Sequence, residues 1–294
     1  MRKVDDIQKA VGRIEMRQTA GRDDRIASLQ DYEFKVFSQW GEDGIIQHLI
    51  RTVPIGARVF VEFGVQDYKE SNTRFLLQNN NWSGLVLEAS AADVETICRD
   101  MLYYRHSLRA VSAFIDRDNI NDLLTANGVS GDIGLLSIDI DGNDYWVWEA
   151  ITAVSPRIVI CEYDNLLGCE RAVVSPYDPT FEKRKAHFSY LYGGASLPAL
   201  DHLARTKGYT LVGSNSAGHN AFFVRNDVLS RLPSVTPREI YTRARFRNSR
   251  DERGALTFLG FEDSLALIAN MPLMDIETGV TLTVREIAPT AQAH

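Results

Sequence analysis

The amino-acid sequence predicts an α/β fold, an open and mostly parallel sheet of seven strands with helices on both faces. Three observations lead there. Five short apolar runs rich in β-branched residues each give way to a segment of helical spacing, the alternation that threads a parallel sheet. Several of these runs end in a carboxylate or a glycine, at the strand ends where open α/β sheets place their ligands. Two further runs, residues 209–213 (YTLVG) and 221–225 (AFFVR), close the series with SNSAGHN as a tight connection between them.

The chain as a whole narrows the function classes. Its 294 residues hold one large domain with additions or two small ones, and 45% hydrophobic residues supply an ordinary core. A formal charge of −7 argues against general affinity for nucleic acid or an anionic membrane. Cys98, Cys161 and Cys169 are too few and too irregularly spaced for a disulfide framework or a CxxC zinc site. No apolar run approaches about 18 residues, the length of a transmembrane span. The N-terminus, MRKVDDIQKA, lacks the apolar stretch of a signal peptide. The expectation is a soluble, cytoplasmic protein in three parts: a helical extension over 1–30, the main domain over 31–226, and a C-terminal extension over 227–294 that packs on the domain or on a partner subunit.

Taken in order, residues 1–30 carry Val4, Ile7, Val11, Ile14 and Met16 at helical spacing. This predicts an amphipathic helix that covers the body or joins a second subunit, ended by Gly21 and the Arg-Asp-Asp that follows. Residues 34–50 (FKVFSQWGEDGIIQHLI) run through two glycines and two acids into a helix whose apolar face is Ile45, Ile46, Leu49 and Ile50. Composition reads this as an ordinary helix start. Residues 59–63 form the first buried strand, and Gly64 ends it so that the backbone can turn closely around a ligand. The turn is not the dinucleotide fingerprint GxGxxG, because Gln66 and Glu70 stand where glycines would admit a pyrophosphate. Glu62 at the strand end repels phosphates, so a cationic or zwitterionic ligand suits the turn better.

The second strand, within 82–90 (WSGLVLEAS), ends in Glu88, which is placed to accept hydrogen bonds from both ribose hydroxyls. A third strand is expected near 108–114, where Ser112, Ala113 and Phe114 would line a base pocket. The fourth begins at Leu135 and runs into Asp139, Asp141, Gly142, Asn143 and Asp144 before a helix carrying Trp146, Val147 and Ala150. Asp144 suits the start of that helix as a cap. A fifth strand over 157–163 ends in Glu162. Residues 165–193 read as a long functional loop, such as a lid. A helix over 196–206 follows, and the tail mixes arginine-rich helical segments with a β-hairpin at 277–287.

In this order, SQWGEDGII, FVEFGVQD with SNT, GLVLEAS, SIDIDGNDYWVWEAI, ICEYDN, GASLPAL, GYTLVG and NAFFVR resemble bacterial FkbM-type S-adenosylmethionine-dependent methyltransferases, and most of all their sugar- and polysaccharide-modifying branch. The resemblance spans residues 36–226 and implies the class I methyltransferase (Rossmann-like) fold. It further implies that Glu62 and Gly64 wrap the methionine part of the donor, that Glu88 with Ala89 beside it holds the ribose, and that Ser112 and Ala113 bound the adenine. Asp139 would stand where donor and acceptor meet. The first motif, GVQDYKESN, lacks the second glycine usual in these enzymes, which leaves the contacts of Gln66, Asp67 and Asn72 open.

Methyl transfer from a sulfonium to an alcohol is an in-line displacement that needs donor and acceptor aligned about 3 Å apart. A sugar hydroxyl also needs a base or a metal to shed its proton. The resemblance implies magnesium, or another divalent cation, held by Asp139, Asp141 and Glu162, which offer hard oxygen ligands. Catalysis is otherwise assigned to Asp139, Asp141 and His219, the last in the SAGHN turn at the same sheet end. Aromatics of the insert, Tyr177, Phe181, Tyr190 and Tyr192, suit either a sugar platform or a lid core. Two other classes compete: a nucleoside- or S-adenosylmethionine-binding protein without catalysis, and an NAD-linked oxidoreductase, against which the missing GxGxxG already counts. A homo-oligomer and a small-molecule or glycan acceptor are the expected partners.

Overall fold

The computed structural model describes residues 2–21, 28–244 and 247–287. The Arg-Asp-Asp expected to end the first helix lies outside the described residues. Five strands, β1 (Val59–Phe63), β2 (Ser83–Glu88), β3 (Leu108–Ser112), β4 (Gly131–Ile138) and β5 (Val154–Glu162), pair in parallel. A two-residue strand, β6 (Val173–Val174), lies outside this sheet, which β7 (Tyr209–Ser214) and β8 (Asn220–Arg225) complete. The order is β3-β2-β1-β4-β5-β8-β7, with β8 antiparallel to both neighbours. Seven strands in that order, with the last one reversed, define the class I methyltransferase fold.

The period-2 alternation of the strands sorts their side chains between two cores. Val61, Leu136, Val159 and Phe223 face one core with the helices Asp144–Ala150 and Leu197–Thr206. Phe60, Leu135, Ile158 and Phe222 face the other, with the helix Glu42–Thr52. Both faces are covered, so the strands read as unbroken apolar runs rather than as alternating ones. β4 starts four residues before Leu135, because Gly131 and Asp132 already pair with β5 although both are exposed.

The tail differs in register from the expected hairpin at 277–287. Its strands are β9 (Pro272–Asp275) and β10 (Thr281–Thr283), and Val284–Ile287 is a short helix. Gly279, with φ of +70°, and Asp275, which accepts from the Thr278 amide and hydroxyl, place the turn where the hairpin's first strand was expected to begin. β9 also pairs with β6, so insert and tail share one three-stranded sheet.

The N-terminal helix, Arg2–Thr19, docks by a face that shares only Met16 with its expected apolar stripe. Arg74 reaches Asp5 at 3.3 Å, the Gln8 amide donates to the Val36 carbonyl, and a Cβ on Gly12 would come within 2.5 Å of Val36. Met16 joins this contact. Val4, Ile7, Val11 and Ile14 stay 58, 63, 49 and 50% exposed. Among the described residues no helix is long and apolar enough to cross a membrane.

Candidate active site

Gly64 marks the point where the sheet changes direction: β2 and β3 extend to one side of β1, and β4 and β5 to the other. Its φ is +70°, and a Cβ there would lie 1.7 Å from the Asp139 carbonyl oxygen. Only glycine lets the tips of β1 and β4 meet so closely. Beyond it, Gln66 and Tyr68 hold left-handed backbone (φ +48° and +60°) without being glycine. Glu88 clamps this loop, accepting from the Gln66 amide at 2.8 Å and from the Ser90 amide at 2.9 Å. The Ala113 amide donates to the Glu88 carbonyl at 3.0 Å, and Ser112 and Ala89 are exposed alongside. Gly64, Gln66, Glu88, Ala89, Ser112 and Ala113 thus form one row across the tips of β1, β2 and β3, facing the crevice where such sheets bind ligands.

Glu62 and Asn72 serve this row from beneath. The Glu62 carboxylate is buried and accepts from the Asn72 and Thr73 amides (2.8 and 3.1 Å) and from the Ser71 and Thr73 hydroxyls. Burial raises its pKa, and those hydrogen bonds pull it part of the way back. Asn72 donates to the Ser137 hydroxyl on β4 at 3.1 Å. Asp67 instead pairs with Lys69 on the loop surface.

At the tips of β4 and β5 the carboxylates of Asp139, Asp144 and Glu162 each bring an oxygen within 4.8 Å of the others. Asp141, expected in this group, is not brought to it. Its backbone is left-handed (φ +60°), and its exposed carboxylate meets the Lys183 ammonium at 2.9 Å. Asp144 stands in its place while capping the turn, accepting from the amides of Ile140 and Gly142 at 2.9 Å each. Burial, then Glu162, Asp141 and Asp144, drive the Asp139 carboxyl well above the usual range. Burial lifts Glu162 to about 7 against the pull of Lys183, and it lifts Asp164 likewise to about 7. Burial works against the charge on Lys183, yet Glu162, Asp141 and Asp164 hold it protonated.

Lys183 and Asp164 escaped the sequence reading because nothing periodic marks them. The Phe181 ring wedges between two glycines: a Cβ on Gly142 would come within 2.1 Å of it, and one on Gly193 within 2.7 Å. Two residues on, Lys183 enters the acid floor. The side-chain amide of Asn143 donates to Asp178 and the Trp146 indole to Ser175, tying the insert to the helix after β4.

His219 lies in the turn between β7 and β8, held from the far end of the chain. Glu42 accepts from the side-chain amides of Asn215 (2.7 Å) and Asn220 (2.9 Å) and from the backbone amides of Trp40 and Gly41. Asn215 in turn accepts from the His219 amide at 2.9 Å, and the Trp40 ring stacks near the imidazole at 6.2 Å. Asp43 accepts three backbone amides, from Val36, Phe37 and Ser38. The SQWGED segment is therefore a brace for the His219 turn, a role that helix-start composition does not reveal. Burial, and then the charge of Lys183, push the His219 imidazole down to about 4, so it is neutral at pH 7.

These groups open into a cavity of about 370 Å³, lined by Glu162, Asp164, Lys183, Tyr190, His219 and Arg243 among others. Insert and tail wall it together. Asn165 donates to the Thr242 carbonyl and accepts from the Ala244 amide at 2.8 Å, and the Tyr192 hydroxyl donates to the Pro272 carbonyl at 2.7 Å. Of the four insert aromatics only Tyr190 lines the cavity. Tyr192 is buried, Phe181 is the wedge, and Tyr177 packs on Trp146 under Arg117.

The floor sets a pH dependence of stability. Asp43 (about 6), Glu162 and Asp164 (each about 7) bind protons more tightly folded than unfolded. Their contribution is complete below the ordinary carboxylate range and is lost as pH rises through 6 to 7. His219, shifted the other way, costs stability as pH falls from about 6.5 toward 4. Three carboxylates outweigh one imidazole, so the melting temperature should fall between about pH 5.5 and 8, and Asp164→Asn should flatten that fall. A melting temperature that climbs over the same interval in a thermal-shift series would contradict the assignment.

No family model matches this sequence, and no curated protein matches it. Among solved structures, it is similar to the N-terminal domain of EvdMO1 with S-adenosylhomocysteine bound, at 12% identity and a TM-score of 0.40 over 62% of this chain and 79% of the other. It is also similar to an S-adenosylmethionine-dependent methyltransferase from Clostridium acetobutylicum, at 7% identity and 0.40 over 63% and 90%. An O-methyltransferase from Bacillus cereus in complex with S-adenosylhomocysteine gives 13% and 0.39 over 62% and 78%.

Proposed function

We propose that this chain is an S-adenosylmethionine-dependent O-methyltransferase of the FkbM type, acting in the cytoplasm on a hydroxyl of a carbohydrate or glycoside. One observation carries the reading. The row from Gly64 to Ala113, suited to a nucleoside with a zwitterionic tail, meets at Asp139 an acid floor that opens into a separate cavity large enough for a sugar. Donor and acceptor would enter from the two sides of β4, which is the arrangement an in-line transfer requires.

In this reading the acceptor oxygen attacks the donor methyl carbon, the carbon–sulfur bond breaks to leave a neutral thioether, and the hydroxyl proton passes to a base. His219 qualifies because its imidazole is neutral at pH 7 and lines the cavity. Glu162, poised at about 7, is the second group able to take the proton. The donor set also fits a divalent cation: Asp139, Asp144 and Glu162 would hold it with carboxylate oxygens, and it would lower the pKa of a bound hydroxyl. Lys183 already places one positive charge beside the same floor.

Isothermal titration of the purified protein with S-adenosylmethionine and S-adenosylhomocysteine tests the proposal, and absence of binding by both overturns it. Left-handed backbone at Gln66, where these enzymes usually carry glycine, favours one second reading, a binding protein without catalysis. It predicts donor binding with no S-adenosylhomocysteine formed across a panel of glycosides.

The exposed stripe of Val4, Ile7, Val11 and Ile14 supports self-association as part of the same proposal. Ile7→Lys with Ile14→Lys should convert a dimer or larger species to monomer in analytical ultracentrifugation. A wild-type monomer at about 100 µM would remove this part.

A further inference from the structure

We infer that the acceptor carries an anionic group, a carboxylate or a phosphate, held by Arg243 and Arg247, which the tail contributes to the cavity wall. The inference rests on the proposed transferase reading and narrows its substrate class. The cavity wall carries both signs of charge, and the tail contributes Arg243, Arg247 and the Glu262 that pairs with Arg243. Asp144, Glu162 and Asp164, with Lys183 among them, come from the ends of β4 and β5 and the start of the insert, whereas Arg243 and Arg247 come from the tail. A chain of net charge −7 gains nothing in solubility from two more cations turned into a cleft.

Arg243 is held more firmly than an ordinary surface arginine. Asn165 pins the backbone beside Arg243 through Thr242 and Ala244, and the Tyr241 hydroxyl donates to the Asn165 carbonyl at 2.9 Å. The Arg243 guanidinium lies 4.3 Å over the Phe261 ring and donates to Glu262 at 2.9 Å. That contact uses one of its five donors and leaves a planar fork suited to a two-oxygen anion. Among the described residues Arg247 has no hydrogen bond or ion pair, although it lines the same cavity.

The arginines offer an anion a place on the part of the wall that the tail supplies, while the carboxylates at the ends of β4 and β5 offer it none. A sugar bearing one anion is thereby oriented with a hydroxyl toward Asp139 and Glu162, a polarity that a neutral glycoside would not experience.

The test uses the full chain saturated with S-adenosylhomocysteine, titrated with methyl glucoside, glucuronic acid and glucose 1-phosphate. At least one of the two anionic sugars should bind about tenfold or more tighter than the neutral one at low salt. The preference should shrink at about 0.5 M salt, and the tighter of the two anions identifies carboxylate or phosphate as the group. Arg247→Gln should remove most of the preference and Arg247→Lys should restore part of it, with S-adenosylhomocysteine affinity and melting temperature unchanged. Equal affinity for neutral and anionic sugars, an unaffected Arg247→Gln variant, or no binding of either anion up to about 10 mM would each overturn the inference. Failure of S-adenosylhomocysteine to bind at all would instead overturn the transferase reading beneath it.

Discussion

Replacing Glu162 by glutamine should lower the rate of methyl transfer by about 10²- to 10⁴-fold while leaving donor affinity within about threefold. The asymmetry follows from position. Glu162 ends β5 and lines the cavity proposed for the acceptor, whereas the row proposed for the donor runs along β1, β2 and β3. Glutamine keeps the side-chain shape and removes only the charge and the proton site, so a loss confined to turnover identifies a role at the acceptor. The same variant separates the two chemistries of the floor. If the carboxylates hold a divalent cation, EDTA abolishes wild-type activity and Glu162→Gln weakens magnesium binding in a direct titration. If His219 is the base, EDTA has no effect and His219→Gln loses activity to a similar degree. Because the imidazole is shifted to about 4, its rate profile stays flat from neutrality down to about pH 5. A Glu162→Gln enzyme with near wild-type turnover would remove the acid floor from the mechanism altogether.

What the sequence disclosed, and what it hid, divides along the same line. The central strands β1, β4 and β8 were legible because they are largely buried on both faces and therefore spelled as mostly apolar runs, several ending in an acid or a glycine. The edge strand β3, by contrast, is partly exposed and carries Arg109. Gly64, Glu88 and Asp139 could be picked out because their positions are fixed relative to those runs. The floor was only half legible. Asp141 and Asp144 are equally acidic and three residues apart, and the choice between them depends on a left-handed backbone at Asp141 and on the Lys183 ammonium that meets it. Lys183, Arg243 and Arg247 reach the site from an insert and a tail whose shape is set by contacts distant in sequence: Phe181 against Gly142 and Gly193, β6 against β9, Asn165 against Thr242 and Ala244. Glu42 shows the same limit from the other end of the chain. Its partners, Asn215 and Asn220, lie more than 170 residues away, and no local pattern announces a brace of that span.

Gly64→Ala should weaken S-adenosylhomocysteine binding by about 100-fold or more and lower the melting temperature by several degrees. Two separable costs act at this position. Left-handed backbone with a Cβ costs about 1–2 kcal/mol wherever it occurs. At Gly64 the methyl would also lie 1.7 Å from the Asp139 carbonyl oxygen, a main-chain atom that no rotamer change can move aside. Relief requires the tips of β1 and β4 to part, which shifts the loop that Glu88 clamps and the backbone that carries Asp139. Gly128 supplies the comparison. Its φ of +78° imposes a similar backbone cost, but a Cβ there meets nothing within 4 Å, and the residue follows the helix Ile120–Ala126. Gly128→Ala should therefore lose stability alone and bind S-adenosylhomocysteine as the wild type does. If both variants bind it equally well, the close meeting of β1 and β4 is a matter of folding and the donor does not sit against it.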